Sequence, residues 1–319
     1  MSKILGDIEK VINQSKEEDW CNVFFVTSPI VAVITKLIIN YFNIKTDNVI
    51  IISFRNTDLS ILNYTSIEVD PKKIDRYFEK LFFLSPSGYR IQKELNKLNK
   101  KYLIFTSLAT REVNWVLSSP MSMGHIYIEE GQHSYMNILP YKPDEIGFTD
   151  RLKKNWKNRF SETDEIGYYF RDDSLGFLGI FPDVFPKISE DRKFILNNIF
   201  DLKKLYKPKL KGIKTIGITC ASRRPEKTSI ETMLIKLLSF LPDNSIVKVH
   251  PSFTASQKIF SDFKKKFEEV SDGKFELCSN DTIIELEMLY EPKKLIGSIS
   301  SLSKYAKQLG SSYDSVKLY

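Results

Sequence analysis

Short apolar runs recur along the chain, and segments with helical spacing fill the gaps between them. Val23 to Thr27 is such a run. Ser28-Pro29 follows it, and apolar positions then recur at helical intervals from Val31 to Tyr41. Val49 to Ser53 predicts a second buried strand. Asp70-Pro71 joins a capping side chain to a proline at a first helical position, which predicts a helix as far as Phe83. Ile91 to Lys100 predicts another helix. Tyr102 to Thr106 and His125 to Ile128 predict further strands, with a helix from Thr110 to Leu117 between them. Strands that are apolar throughout, rather than alternating, belong in parallel sheets covered on both faces.

The pattern changes after Arg151. The stretch Arg151 to Phe160 is basic and aromatic, and Gly167 to Pro186 is rich in aromatics, Gly and Asp with no clear period. Ser189 to Tyr206 has helical spacing, and a lysine-rich run from Lys203 to Lys214 is broken by Pro208 and Gly212. Alternation then resumes. Strands are predicted at Thr215 to Thr219, Ile246 to Val249, Phe275 to Cys278 and Lys294 to Ile296. Helices are predicted at Ser229 to Phe240, Ala255 to Val270, Ile283 to Tyr290 and Ser301 to Leu309. The expectation is an α/β protein of two Rossmann-like domains, 1–187 and 188–319, whose parallel sheets face a central cleft. No repeat at the scale of a solenoid unit and no low-complexity segment is present.

Composition narrows the class. Of 319 residues, 42% are hydrophobic and 27% charged, a balance that excludes a disordered or fibrous chain. No apolar run reaches the ~18 residues of a membrane-spanning helix. Met1 to Lys10 carries acids and no apolar core of a secretory signal. Cys21, Cys220 and Cys278 lie far apart, form no CxxC pair, and fit a reducing cytoplasm. Lysine and arginine outnumber the acids by 47 to 40, and the net charge of +7 favours anionic partners without naming one.

Several common signatures are absent: GxxxxGKS/T, GxGxxG after a strand, HExxH and GxSxG. With only His125, His133 and His250, a multi-histidine metal site is not expected. Asp172-Asp173 follows no strand and reads as a solvated loop. Arg151 to Phe160 could meet an anionic surface, although an amphipathic helix with a solvated face is the plainer reading. In open parallel sheets ligands sit beyond the carboxyl ends of the strands, so chemistry is sought there.

Three strand ends stand out. Ile126-Tyr127-Ile128 runs into Glu129-Glu130-Gly131. Adjacent carboxylates at a ligand edge raise one another's pKa, which suits a general base, and strand alternation points them to opposite sides. Taken alone, an acidic turn accounts for them equally well. Ile246 to Val249 ends in His250-Pro251, with Lys248 beside it. A histidine there can donate to an anionic oxygen or serve only in the packing. Leu295-Ile296 leads into Gly297-Ser298-Ile299-Ser300-Ser301 before a helix. Glycine admits a close ligand, and the hydroxyls form an anion cradle or simply cap the helix. Ser311-Ser312 reads as a turn.

The ordered set Glu-Glu-Gly, His-Pro and Ser-Ser resembles bacterial sialyltransferases of the GT-B type, including the lipooligosaccharide and polysialic acid capsule families. Phe25-Val26-Thr27-Ser28-Pro29 and the helix after it look like their opening strand and helix. The resemblance spans most of the chain. It implies a general base at the second acid, Glu130, with Glu129 and Gly131 as its motif partners. It implies that His250, with Pro251 and Lys248, and the loop of Gly297, Ser298, Ser300 and Ser301 hold the phosphate of a CMP-activated sugar. The families' Pro-x-Glu segment near the nucleoside has its closest match in Glu285-Leu286-Glu287, which lacks the proline, and Glu287 is the carried-over nucleoside contact. GT-B enzymes often end in a helix that returns to the first domain. None is legible after Ser311, which implies a truncated chain or an unusually small domain.

The implied activity is inverting transfer of sialic acid, or of Kdo, legionaminic or pseudaminic acid, from a CMP donor to a hydroxyl of a bacterial surface glycan. No metal or other cofactor is implied, nor any nucleic-acid partner. The expected location is the cytoplasm, with peripheral association at the inner membrane. Two other classes remain open at this point. One is a sugar-nucleotide epimerase, which also has two Rossmann-like domains. The other is a non-enzymatic binding protein that uses its basic surface on an anion.

Overall fold

The computed structural model describes residues 3–54, 62, 64–69, 86–108, 110–136, 174–204, 206–220, 229–254, 257–298 and 300–318. The chain divides into two units, Met1–Ile199 and Phe200–Tyr319.

The first unit contains α1 (Lys3–Glu17), β1 (Cys21–Val26), α2 (Pro29–Tyr41), β2 (Val49–Phe54), β3 (Thr65–Val69) and α3 (Pro86–Asn96). It continues with β4 (Tyr102–Thr106), α4 (Arg111–Leu117), β5 (Ser122–Ile128), β6 (Gly176–Gly179) and β7 (Lys193–Ile195). Its strands form one sheet in the order β3-β2-β1-β4-β5-β6-β7, with every pair parallel.

Central β1 is buried along its whole length. Val23 and Phe25 pack with Ile91, Leu95 and Val116 on one face. Phe24 points to the other face and stacks on Phe105, ring centroids 4.3 Å apart. Burying a side chain of this size stabilises by about 1.5–3 kcal/mol, so apolar residues on both faces hold this strand at the centre. Pro29 opens α2 at its first position, where a missing N–H costs nothing. The helix ends where Asn43 turns left-handed at φ 52°. The first turn of α4 is capped by Thr110 Oγ1, which accepts the Val113 N–H at 3.4 Å.

The second unit contains β8 (Thr215–Ile218), α5 (Ile230–Leu238), β9 (Ile246–Lys248), α6 (Pro251–Thr254) and α7 (Gln257–Ser271). It continues with β10 (Glu276–Leu277), α8 (Ile284–Tyr290), β11 (Lys294–Gly297), α9 (Leu302–Gln308) and β12 (Ser312–Ser315). The sheet order is β10-β9-β8-β11-β12, again all parallel. Phe263 and Phe267, one turn apart on α7, fill the core beside Leu234, Leu237 and Val247. At Gly297 a Cβ would lie 2.2 Å from the Ile218 carbonyl oxygen. Only glycine lets β11 approach β8 this closely.

Both sheets are wound the same way. The first three strands of each spread outward to one side, and the fourth returns to the other side of the first. The topological switch points are therefore β1/β4 in the first unit and β8/β11 in the second.

The structure departs from the sequence-based expectation in several places. The segment from Ser189 to Tyr206 is not one helix. It holds a 3₁₀ turn at Glu190–Arg192, then β7, then a second 3₁₀ turn at Ile199–Lys204. Phe194 of β7 is buried and pairs with Leu178 of β6, so tertiary pairing overrides the helical spacing. Because β7 completes the first sheet, the division falls at 199/200 instead of 187/188. Ser311-Ser312 leads into edge strand β12 rather than a turn. The helix predicted from Asp70-Pro71, the basic stretch Arg151 to Phe160 and Asp172-Asp173 all lie outside the described residues.

Candidate functional site

The Glu-Glu-Gly motif sits at the carboxyl end of β5. Glu129 is fully buried, and each of its carboxylate oxygens accepts a hydrogen bond. Oε1 accepts the Tyr135 hydroxyl at 2.5 Å, and Oε2 accepts the Ile180 N–H at 2.8 Å. It ties the end of β5 to the turn after it and to the end of β6. Glu129 thus braces this strand end. Gly131 adopts φ 108° and ψ −129°, a region that residues with a Cβ avoid. It swings the chain into a 3₁₀ turn at Gln132–Tyr135, whose Ser134 Oγ accepts the Glu130 N–H at 3.0 Å. The Glu130 side chain retains 10% of its exposure. His133 Nε2 is 4.0 Å from Glu130 Oε1.

In the second unit, His250 lies two residues beyond the end of β9 and the serine loop follows β11, with β8 between the two strands. Two strand spacings separate these ends, roughly 10 Å. The His250 backbone N–H donates to Thr219 Oγ1 at 2.8 Å, which ties the end of β9 to the end of β8. His250 Nδ1 accepts the Ser252 N–H at 3.1 Å and lies 2.9 Å from Ser252 Oγ. A backbone N–H can only donate, so in the neutral ring the proton sits on Nε2. Pro251 is exposed and opens α6.

The serine loop divides its labour. Ser298 is buried, and its carbonyl accepts the Tyr313 hydroxyl from β12. Burial holds the Tyr313 phenol above its ordinary pKa, so it stays a donor. Ser300 Oγ accepts the Leu302 N–H at 3.2 Å, and Ser300 O accepts the Ser303 hydroxyl at 2.8 Å. Ser300 therefore caps its own helix. Ser301 already has helical geometry at φ −56° and ψ −27°, and its hydroxyl makes no capping bond. Ser301 is the member of the pair best placed to meet a ligand. Gly297 serves strand packing, as described above.

Two of the expected donor contacts already have partners within the second unit. Glu287 is 1% exposed, and its carboxylate accepts three hydrogen bonds. Oε1 takes the Tyr206 hydroxyl at 2.5 Å and the Lys209 N–H at 2.8 Å, and Oε2 takes the Leu210 N–H at 3.0 Å. A buried carboxylate with these three donors braces the 206–210 loop. Burial, and then the hydrogen bond to Glu287, push the Tyr206 phenol far above its ordinary pKa. Lys248 Nζ donates to the Ser279 carbonyl at 3.2 Å and the Asn280 carbonyl at 2.9 Å, and so holds the turn after β10. Burial lowers its pKa. Nearby Glu285, partly buried at the start of α8, has its carboxyl pKa raised by desolvation.

The structure thus gathers His250, Thr219, Ser298 and Ser301 at one edge of the second sheet, and presents Glu130 at one edge of the first. Sequence reasoning missed Thr219, Ser252, Ser134, Tyr135 and Tyr313. Each acts through a fold-dependent contact and belongs to no local motif. Among the described residues, no group of three or more His, Cys, Asp or Glu side chains could hold a metal ion. No helix among them is long and apolar enough to cross a membrane.

No family model matches the chain, and no curated protein does. Solved structures do. MnaA of S. aureus, in complex with UDP, is 11% identical, with 92% of this chain and 78% of that one covered and a TM-score of 0.51. UDP-GlcNAc 2-epimerase from Neisseria meningitidis, bound to UDP-GlcNAc, is 12% identical, with coverage of 93% and 82% and a TM-score of 0.52. A putative UDP-N-acetylglucosamine 2-epimerase from Listeria monocytogenes is 11% identical, with coverage of 92% and 78% and a TM-score of 0.52. Similarity at this level of identity is similarity of fold. Taken with the two all-parallel sheets, it shows that the chain has the GT-B fold of two Rossmann-like units.

Proposed function

We propose that this chain is a nucleotide-sugar enzyme, an inverting glycosyltransferase that moves a nonulosonic acid from a CMP donor to a glycan hydroxyl. The observation that carries the reading is His250. The Ser252 N–H fixes its tautomer, so Nε2 bears the proton beside the switch point of the second sheet. A neutral imidazole held as a donor suits a leaving phosphate oxygen. The Ser301 hydroxyl adds a second donor. As the acceptor oxygen bonds to the anomeric carbon, the bond from that carbon to the CMP phosphate breaks. The electron pair leaves on the phosphate, where His250 and Ser301 stabilise the growing charge. The acceptor proton passes to Glu130. These donors stand in place of a cation, so the proposed chemistry needs no metal.

Two of the solved structures of similar fold were obtained with UDP or UDP-GlcNAc, which favours a second reading, epimerisation of a UDP-sugar without an acceptor. Calorimetry against CMP and UDP, with EDTA present, separates the two. The proposed function expects CMP to bind in EDTA and His250→Ala to weaken it. Glu130→Gln is expected to keep CMP affinity and lower transfer by roughly 10²–10⁴-fold, the scale of a general base. Preference for UDP, with an isomerised sugar as product, would establish the epimerase instead.

A further inference from the structure

The switch point of the first sheet lies between β1 and β4, one strand away from Glu130 on β5. Four hydroxyl residues end these two strands: Thr27 and Ser28 after β1, Thr106 and Ser107 at and after β4. Thr27 Oγ1 and Ser107 Oγ are 3.2 Å apart, so the two strand ends meet through their hydroxyls. Ser107 is fully buried. Thr106 Oγ1 is committed locally, donating to the Leu108 carbonyl at 2.9 Å.

Ser28 is the unusual member. It stands at the N-cap of α2, a thirteen-residue helix, with extended backbone at φ −159° and ψ 163°. An N-cap serine ordinarily accepts an N–H of the first turn. Here the Ser28 side chain makes no capping bond. Its oxygen is shielded from water and has no hydrogen-bond partner. The first intrahelical bond runs from the Ala32 N–H to the Ser28 carbonyl at 3.1 Å. Pro29 has no N–H, so the donors left over at this end are those of Ile30 and Val31, and both residues are buried. Ser28 itself is partly buried, but a shielded hydroxyl oxygen beside the N–H groups of two buried residues is costly to leave without partners. The loop itself, 27–29, is only partly buried, which leaves a route for a small group.

We infer that the β1/β4 switch point is an oxyanion subsite. Ser28, Ser107 and the N–H groups of Ile30 and Val31 would hold a carboxylate or phosphate oxygen. The chemistry of the donor set argues for an anion. Every group in it can donate, with Thr27 Oγ1 able to serve as the donor in its contact with Ser107 Oγ, and the helix end adds positive potential. On the function proposed above, the subsite takes an acidic substituent of the acceptor, a uronate or nonulosonate carboxylate or a phosphate ester. It orients that acceptor near Glu130.

The test reads the whole protein by amide NMR, at constant ionic strength, with inorganic phosphate and with acetate as probes. Saturable downfield shifts of the Ile30 and Val31 amides are expected, with binding weakened roughly tenfold or more in Ser28→Ala, the scale of one hydrogen bond to a charged group. Ser107→Ala should weaken it as well, whereas Ser239→Ala, on the exposed end of α5, should not. A response to phosphate alone assigns the substituent as a phosphate ester, and a response to acetate alone assigns a carboxylate. No shift at Ile30 and Val31 overturns the subsite. Shifts that persist with unchanged affinity in both serine variants mean an adventitious ion only, and overturn it too. The readout is independent of CMP. Anion binding in a protein that ignores CMP would leave the subsite standing and remove the donor assignment.

Discussion

Glu287 offers a clean decision between a ligand contact and a structural brace. The perturbations are Tyr206→Phe and Glu287→Gln. Phenylalanine keeps the ring and removes only the hydroxyl that donates to Glu287 Oε1 at 2.5 Å. A hydrogen bond to a charged group is worth about 1.5–3 kcal/mol, and no cavity is added to that loss. For a unit of this size each kcal/mol moves the melting temperature by about 4 °C, so a fall of roughly 6–12 °C is expected. Glutamine at 287 turns an amide NH₂ towards backbone and hydroxyl donors, so it should destabilise at least as much as Tyr206→Phe. Scanning calorimetry and urea unfolding measure these losses. Nucleotide titrations well below the midpoint should show the wild-type affinity in both variants. A Glu287→Gln protein that melts like the wild type yet binds nucleotide ten times more weakly would refute the brace.

Other outcomes follow from the same geometry. Gly297→Ala puts a Cβ against the Ile218 carbonyl, and forcing β8 and β11 apart should cost about 1–3 kcal/mol by denaturant unfolding. Tyr135→Phe removes the hydroxyl donor to buried Glu129 and should cost about 1.5–3 kcal/mol, with the loss confined to the first unit's transition. Glu285 has its folded pKa raised above 4.5, so the folded state holds that proton more tightly than the unfolded one. Its contribution to stability is full below pH 4.5 and is lost as pH rises through the folded value. Glu285→Gln should therefore melt higher than the wild type at pH 7, with the gain shrinking towards pH 4, and a gain that does not change with pH would contradict the assignment.

Central strands were legible because they are long apolar runs. β1, β2, β4 and β5 are buried on both faces, and such burial demands apolar residues at successive positions. Edge elements were not. β6 is Gly176–Gly179 and β7 is Lys193–Ile195, too short to show a period, and each is specified by the strand it pairs with. Strand-end motifs could be located, yet their internal roles could not be sorted. Adjacent acids are equivalent in a string of letters. Only the fold shows that Glu129 is sealed against Tyr135 and Ile180 while Glu130 keeps some contact with water. Likewise the partners of Glu287 lie some eighty positions earlier, at Tyr206 to Leu210, where no local pattern points to them.

The parallel winding of the first sheet also sets a schedule for biosynthesis. A parallel sheet contains no hairpin, so no strand can pair with its immediate successor until a crossover has been made. β1 is flanked by β2 and β4, and the Cys21–Tyr102 pairing spans most of the unit's early sequence. At translation rates of about 5–20 residues per second, roughly 4–16 s pass between the emergence of those two residues. For that interval Val23 to Val26 has only half its sheet. The strand that ends up most deeply enclosed is therefore the one that a nascent-chain chaperone has most reason to shield, and delays placed in translation between β2 and β4 should lower the yield of folded protein more than delays after β7.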